Sequence, residues 1–350
     1  MSAPLLYHSP APFALDLGGT LPGVDIAYHT YGTLSEARDN VVWVCHALTA
    51  NSDVADWWPH TVVPGGFLDP SRWYVVCANI IGSCYGSTGP MSVNPATRQP
   101  WYGDFPRLTM ADIARAHALL ADALGIGRIA ALVGSSVGGF QAVEWAVADP
   151  ARFGRLVLIA TGASASPWTV AIDETQRMAI KADSTWGEPR PDAARDGLAA
   201  ARAIGLLTYR GPEGYNATQR DPDGLPAGAL RRPVTYQRHQ GDKLVARFDA
   251  YSYVAILDAF DTHDVGRGRG GRSAALARLG MPVCVIGLST DIIFTPAEMR
   301  ALADALPHAE YHEIASPLGH DGFLVEHGRL NSIINRFFNL TSPAGANDRQ

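Results

Sequence analysis

The chain has 350 residues, 47% of them hydrophobic and 18% charged, which is enough apolar material for a large core and excludes global disorder. Its formal net charge of −6 argues against nucleic acid or an anionic membrane as a main partner, and no apolar run is long enough to span a bilayer. The opening residues Met1-Ser2-Ala3-Pro4 lack a basic region followed by an apolar one, so a cytoplasmic location is expected.

From Asp25 to Leu132 short apolar runs alternate with turns and helix-like segments, and Val41–Cys45 and Tyr74–Ala78 read as buried strands. Helical spacing of apolar residues predicts a helix from Met110 to Leu124, with Gly125 as its C-cap. The run Arg128–Val133 predicts a strand, and Phe140–Ala146 a helix after an intervening turn. Leu156–Ala160 is a further strand. From about Ser164 to Arg272 strand signal is sparse, and helix-like pieces at Ala171–Ala182, Ala193–Leu207 and Leu244–Phe260 are separated by Pro/Gly-rich loops. Val283–Gly287 returns to strand, a helix follows from about Pro296 to Leu306, and a short apolar run lies near Glu313-Ile314. Strands alternating with helices imply a mostly parallel sheet with helices on both faces. The expected organisation is a core of residues 1–163 and 273–341, a helical lid inserted at 164–272, and a frayed polar tail at 342–350.

Cys45, Cys77 and Cys284 lie in or beside apolar strand-like runs, so with Cys84 they are expected as free thiols rather than a disulfide framework. No pair has C-x-x-C spacing, and no metal site is expected. Trp57, Trp58 and Trp145 are read as packing residues.

Gly134-Ser135-Ser136-Val137-Gly138 between a strand and a helix is a nucleophile elbow, a turn too sharp for most Cβ atoms. It places Ser136 at the tip, where a helix N-terminus favours developing negative charge. A serine nucleophile needs a base and an acid that orients it. In α/β-hydrolases the chain order is Ser, then Asp or Glu, then His, and Asp291 and His320 fall in loops after strand-like runs in that order. The oxyanion donors are expected to be the backbone N–H of Val137 and that of Leu48, in the loop after Val41–Cys45. His46, at the end of that strand, reads as a loop anchor rather than a second base.

Several blocks resemble the homoserine O-acetyltransferase family of the α/β-hydrolase fold. They are His46-Ala47-Leu48-Thr49 with Asp56-Trp57-Trp58, Asn79 through Pro90, and Phe105-Pro106 with Leu108-Thr109. The elbow running into Gln141-Ala142-Val143-Glu144-Trp145 belongs with them, as do Leu207-Thr208-Tyr209-Arg210, Tyr236 through Lys243 and Arg247 through Tyr253. The last is Ser316 through Leu324, so the match covers nearly the whole chain in order. The resemblance implies a homodimeric serine acyltransferase of methionine biosynthesis, with no bound cofactor and acetyl-CoA as co-substrate. It would move an acetyl group to the L-homoserine hydroxyl by a ping-pong route. Ser136, His320 and Asp291 would be nucleophile, general base and orienter. Arg202 would pair the substrate carboxylate bidentately, Tyr209 would stand beside it, and Asp321 would receive the ammonium. The plain alternatives are a lid-surface Arg202 and an Asp321 that only caps a helix.

Departures from the family pattern are Ser135, Val137 and Phe140 for Gly, Met and Met in the elbow, Asn51-Ser52-Asp53 after Thr49-Ala50, and Ser83 for Gly. They leave open succinyl-CoA as donor, L-serine as acceptor, and an ester hydrolase on the same scaffold. Arg267, Arg269 and Arg272 lie in a Gly-rich loop that reads as solvated rather than as a site for CoA phosphates.

Overall fold

The computed structural model describes residues 3–340. The N-terminal part supplies β1 (Leu5–Ser9), the short hairpin β2 (Phe13–Ala14) and β3 (Thr20–Leu21), then β4 (Val24–Tyr31) and β5 (Val41–Cys45). A single turn, α1 (Val54–Trp57), leads to β6 (Tyr74–Ala78), and α2 (Met110–Ala123) precedes β7 (Ala131–Ser135), α3 (Val137–Ala148) and β8 (Leu156–Ile159). Between β8 and the next strand come α4 (Pro167–Lys181), α5 (Arg195–Tyr209), α6 (Pro212–Thr218), α7 (Arg232–Val245), α8 (Ala250–Asp261) and α9 (Arg272–Leu276). The chain closes with β9 (Val283–Leu288), α10 (Pro296–Asp304), β10 (Ala309–Ile314), α11 (Gly322–Val325) and α12 (His327–Leu340).

The eight-stranded sheet has the order β1-β4-β6-β5-β7-β8-β9-β10. β1 and β4 pair antiparallel, as do β4 and β6, and every pairing from β6 to β10 is parallel. This is the α/β-hydrolase architecture expected from the sequence. The central strands β5, β7, β8 and β9 are buried along their whole length, which is why they read as continuous apolar runs. The edge strand β10, Ala-Glu-Tyr-His-Glu-Ile, is mostly half-buried and carries its charges there. Trp43, on one face of β5, meets Trp145 of α3 edge to face at 5.2 Å, and Trp57 stacks on the buried Trp58 at 5.1 Å. All four cysteines are free, and only Cys84 is not fully buried.

Local chemistry fixes the helix ends. Thr109 and Asp112 form a reciprocal capping box on α2, and Thr295 and Glu298 form one on α10 with Pro296 in the first turn. Gly125 follows α2 with φ +67°, the left-handed stop expected of it.

The named elements between β8 and β9 are all helices, joined by loops, but their bounds differ from the periodicity. The expected helix over Leu244–Phe260 is two helices. α7 ends at Val245, and the Asp249 carboxylate accepts from the Ser252 N–H at 2.7 Å to start α8. The apolar spacing runs through the break because Leu244 and Phe248 are buried in the same cluster as Tyr253 and Leu257. α6 and most of α7 carry too few apolar residues to announce themselves. The expected lid boundary at 272/273 falls after the first residue of α9. The expected tail at 342–350 lies outside the described residues. Among the described residues, no helix is long and apolar enough to cross a membrane.

Asp249→Ala removes the cap that separates α7 from α8. It is expected to lower unfolding free energy by about 1 kcal/mol with an unchanged denaturant m-value, measured by urea titration.

Candidate active site

β7 ends at Ser135 and α3 begins at Val137, so Ser136 alone makes the turn, at φ 54° and ψ −129°. This is a costly conformation for a residue with a Cβ, and the surroundings over-determine it. The Ser136 N–H donates to the Ile159 carbonyl at 3.0 Å, while its carbonyl accepts from the Gly139 N–H at 2.9 Å and the Thr161 hydroxyl at 2.7 Å. A Cβ at Gly138 would sit 2.0 Å from the Cys45 carbonyl oxygen, so only glycine lets α3 approach the end of β5 this closely.

The expected triad residues converge. The Ser136 hydroxyl lies 2.9 Å from His320 Nε2, and His320 Nδ1 lies 2.7 Å from Asp291 Oδ2. Asp291 follows β9, and its other oxygen accepts from the Ile293 and Phe294 N–H groups at 2.8 and 3.1 Å. His320 sits in a 3-10 turn after β10, 3% exposed, between Phe294 and Phe323. Burial alone would lower the imidazole pKa. The Asp291 charge and hydrogen bond, with a smaller push from Asp321, overcome it, and the net shift is upward from 6.5.

The two expected oxyanion residues, Leu48 and Val137, border one cavity with Ser136 and His320. Gln141 ties their elements together: its side-chain N–H₂ donates to the His46 carbonyl at 3.2 Å and the Val137 carbonyl at 3.3 Å. Its Oε1 accepts from His117 Nε2 at 2.9 Å. His46 accepts the Ile80 N–H at Nε2 (3.0 Å) and therefore donates from Nδ1 to the Ala47 carbonyl at 2.9 Å. Burial lowers its pKa to about 4, so it is a neutral anchor of the loop. Arg247, between α7 and α8, donates to the Thr49 carbonyl at 2.5 Å and to the Tyr85 hydroxyl, and thus fastens the α7–α8 link to the same loop.

The cavity encloses about 720 Å³ including its mouth. Its apolar wall includes Val137, Ile172, Leu257, Phe260, Ile293 and Phe323, and its charged lining is Asp173, Arg202, His320 and Asp321. Arg202 and Tyr209 come from α5, with the guanidinium 5.4 Å from the Tyr209 ring centre. Asp321 was expected to be a carboxylate open to an ammonium group, or a cap. It is ion-paired with Arg210 at 2.8 Å, a partner more than a hundred residues away for which the sequence offers no local signal. Asp173, Gln141 and Arg247 were likewise not singled out. Burial first and the nearby charge of Asp261 second push the Asp173 pKa well above the carboxylate range.

The basic cluster is neutralised rather than free. Arg267 pairs Asp16 at 3.1 Å, Arg269 holds Glu144 bidentately, and Arg272 holds Asp264 at 3.1 and 2.9 Å. Among the described residues, one group has metal-ligand spacing: Cys284, Glu310 and His312, within 4.8 Å on β9 and β10. Burial first and Glu310 second raise the Cys284 thiol pKa, with Arg336 opposing them, so the thiol is held protonated.

A family model described as alpha/beta hydrolase fold matches residues 40–327. The chain is 41% identical to a homoserine O-acetyltransferase of Cyclobacterium marinum, over 95% of this chain and 94% of the relative. It is 42% identical to one of Chlorobaculum tepidum, over 95% and 93%. It also superposes on the crystal structure of homoserine O-acetyltransferase from Bacillus anthracis with a TM-score of 0.89, at 25% identity, over 97% of this chain and 98% of that one.

A fluorophosphonate probe is expected to label Ser136, with a rate that rises with pH about a midpoint above 6.5, because His320 must be neutral to take the serine proton. Asp291→Asn removes the anion that holds the imidazole proton. It should move the midpoint to lower pH and slow labelling by about 10³–10⁴-fold. A midpoint that stays put would show that Asp291 does not act on His320.

Proposed function

The chain belongs to the homoserine O-acetyltransferase family and is an acyltransferase of homoserine acetylation; from that premise we propose that its donor is acetyl-CoA and that transfer passes through an acyl-Ser136 in two half-reactions. The observation that carries this reading is one cavity in which a serine–histidine pair faces a guanidinium and a carboxylate, Arg202 and Asp321. An amino acid is a zwitterion, and these two groups complement its carboxylate and ammonium.

In the first half-reaction Ser136 Oγ attacks the thioester carbonyl while His320 Nε2 takes its proton, and the proton then goes to the departing CoA sulfur. The oxyanion is held by the Val137 and Leu48 N–H groups, whose elements Gln141 fixes relative to each other. In the second, the acceptor hydroxyl gives its proton to His320 and attacks the acyl carbonyl. Ser136 leaves and recovers the proton. Arg202 holds the acceptor carboxylate with Tyr209 beside it, and Asp321 faces the ammonium. Asp291 keeps His320 in the tautomer that both steps require.

The wall composition supports acetyl over succinyl. A succinyl group carries a second carboxylate, and among the described residues Arg202 is the only Arg or Lys that lines the cavity. Homoserine over serine rests on the family, since one methylene changes discrimination by only about 1–3 kcal/mol. The product, an O-acyl amino acid, would feed methionine synthesis. The same reading includes a cytoplasmic homodimer, which light scattering after size exclusion would test.

Free-thiol release is the direct assay, with acetyl-CoA and succinyl-CoA each crossed against L-homoserine, L-serine and no acceptor. Release that depends on acetyl-CoA and L-homoserine together is the expected result. Equal release with and without an amino acid would make the protein a hydrolase. Arg202→Ala should raise the acceptor KM by about 10-fold or more while the burst with acetyl-CoA alone persists. Loss of that burst would contradict an acceptor role for Arg202.

A further inference from the structure

Asp321 is a charge in a poor place. Its side chain is 14% exposed, at the end of the 3-10 turn that carries His320. Burial pushes its pKa upward, three cations oppose that push (Arg210 most, then Arg202, then His320 when protonated), and the net shift is still upward, so Asp321 keeps its charge only with their help. The other titratable groups around it are Tyr209 on α5, Asp291 behind His320, and Asp173 across the cavity on α4.

These cations differ in what happens to them during turnover. On the reading above, Arg202 is matched by the acceptor's own carboxylate once the acceptor binds. His320 has to be neutral when it acts as a base. Arg210 does neither: it does not line the cavity, and its guanidinium lies 2.8 Å from Asp321 Oδ2. It is therefore the counter-ion that persists through every state of the site.

The backbone around this pair fixes its geometry. The segment after α5 lies directly on the loop of the base, with the Gly214 N–H donating to the Pro317 carbonyl at 3.2 Å. The Gly319 N–H donates to Thr290 Oγ1 at 2.9 Å, and the Thr290 hydroxyl donates to the Ser316 carbonyl at 2.8 Å. Gly319 has φ +65°, and a Cβ there would sit 2.5 Å from the Gly211 nitrogen and 2.8 Å from the Arg210 carbonyl carbon. The two backbones meet without side chains between them, which sets the reach of Arg210 to Asp321.

We propose that Arg210 is a positioning residue for acceptor recognition, which holds the Asp321 carboxylate in place and ionised for the acceptor's ammonium group. This rests on the acceptor role given to Asp321 above. Without Arg210, burial would keep a proton on Asp321 to higher pH, and the incoming ammonium would first have to displace it. The acceptor would then bind weakly at the acid end of the working range and recover as pH rises. The first half-reaction, which needs no acceptor, would keep its burst.

The test is the acceptor KM for L-homoserine as a function of pH in Arg210→Gln, Arg210→Lys, Asp321→Asn and Arg202→Ala, beside the burst of thiol with acetyl-CoA alone. Arg210→Gln is expected to raise KM by about 10–100-fold at the acid end and to converge toward the parent at the alkaline end, with the burst retained. Arg210→Lys, which keeps a point charge, should recover most of the difference, and Asp321→Asn should show a high KM at every pH. An unchanged KM in Arg210→Gln, a rise equal at all pH values, or a burst lost with it would overturn the proposal. If Asp321→Asn and Arg202→Ala also leave KM unchanged, the acceptor reading itself fails. If they raise KM and Arg210→Gln does not, only the role of Arg210 falls.

Discussion

Everything in this site depends on how closely α3 can approach the end of β5. The Gly138 position lies against the Cys45 and His46 carbonyls, with no room for a methyl group. That contact brings the first turn of the helix up to the loop that follows β5. It leaves Ser136 no choice but a left-handed φ, and it lets Gln141 reach across to the His46 carbonyl. The position of Ser136 at the cavity and the approach of Leu48 and Val137 to the same cavity both follow from this one close packing. The backbone strain at Ser136 is held by hydrogen bonds on both sides of the residue and by the buried strands beneath it.

The electrostatics follow from burial of a different kind. His320, Asp321 and Asp173 are each driven by desolvation toward their neutral forms, and each is answered differently. Asp291, held by two backbone N–H groups, restores basicity to His320. Arg210 opposes the loss of charge at Asp321. Asp173 instead has a second carboxylate for a neighbour, Asp261, which holds the pKa of Asp173 up and is itself paired with Arg177 at 2.5 Å. Three carboxylates within one cavity wall and its backing thus do three different jobs, set by which cation or amide stands next to each.

Much of this was legible in the chain. The central strands are buried on both faces, so they stand out as unbroken apolar runs, and the elbow announces itself because glycine is forced at fixed offsets from Ser136. The order of Ser136, Asp291 and His320 along the chain anticipated their meeting. Other features had no local signal. The break between α7 and α8 is hidden because Leu244 and Phe248 are buried in one cluster on either side of it, so the apolar spacing does not lapse. β1 and β4 form the antiparallel edge, where β1 is largely exposed and β4 mixes buried with half-buried positions, so neither reads as an unbroken apolar run. Arg210 and Asp321 are far apart in sequence, and nothing near either residue reveals the other. Arg247 and Gln141 act by bridging separate loops, which only a folded chain brings together.

The division of the cavity between chain segments has an evolutionary consequence. On the proposed reading the bond-making groups sit on loops at the ends of β5, β7, β9 and β10, whereas the groups assigned to the acceptor's carboxylate, Arg202 and Tyr209, lie on the single helix α5. Drift in that helix can redirect the enzyme to a different hydroxy compound without disturbing the reactive serine. One scaffold can therefore diversify its clientele while its chemistry stands still.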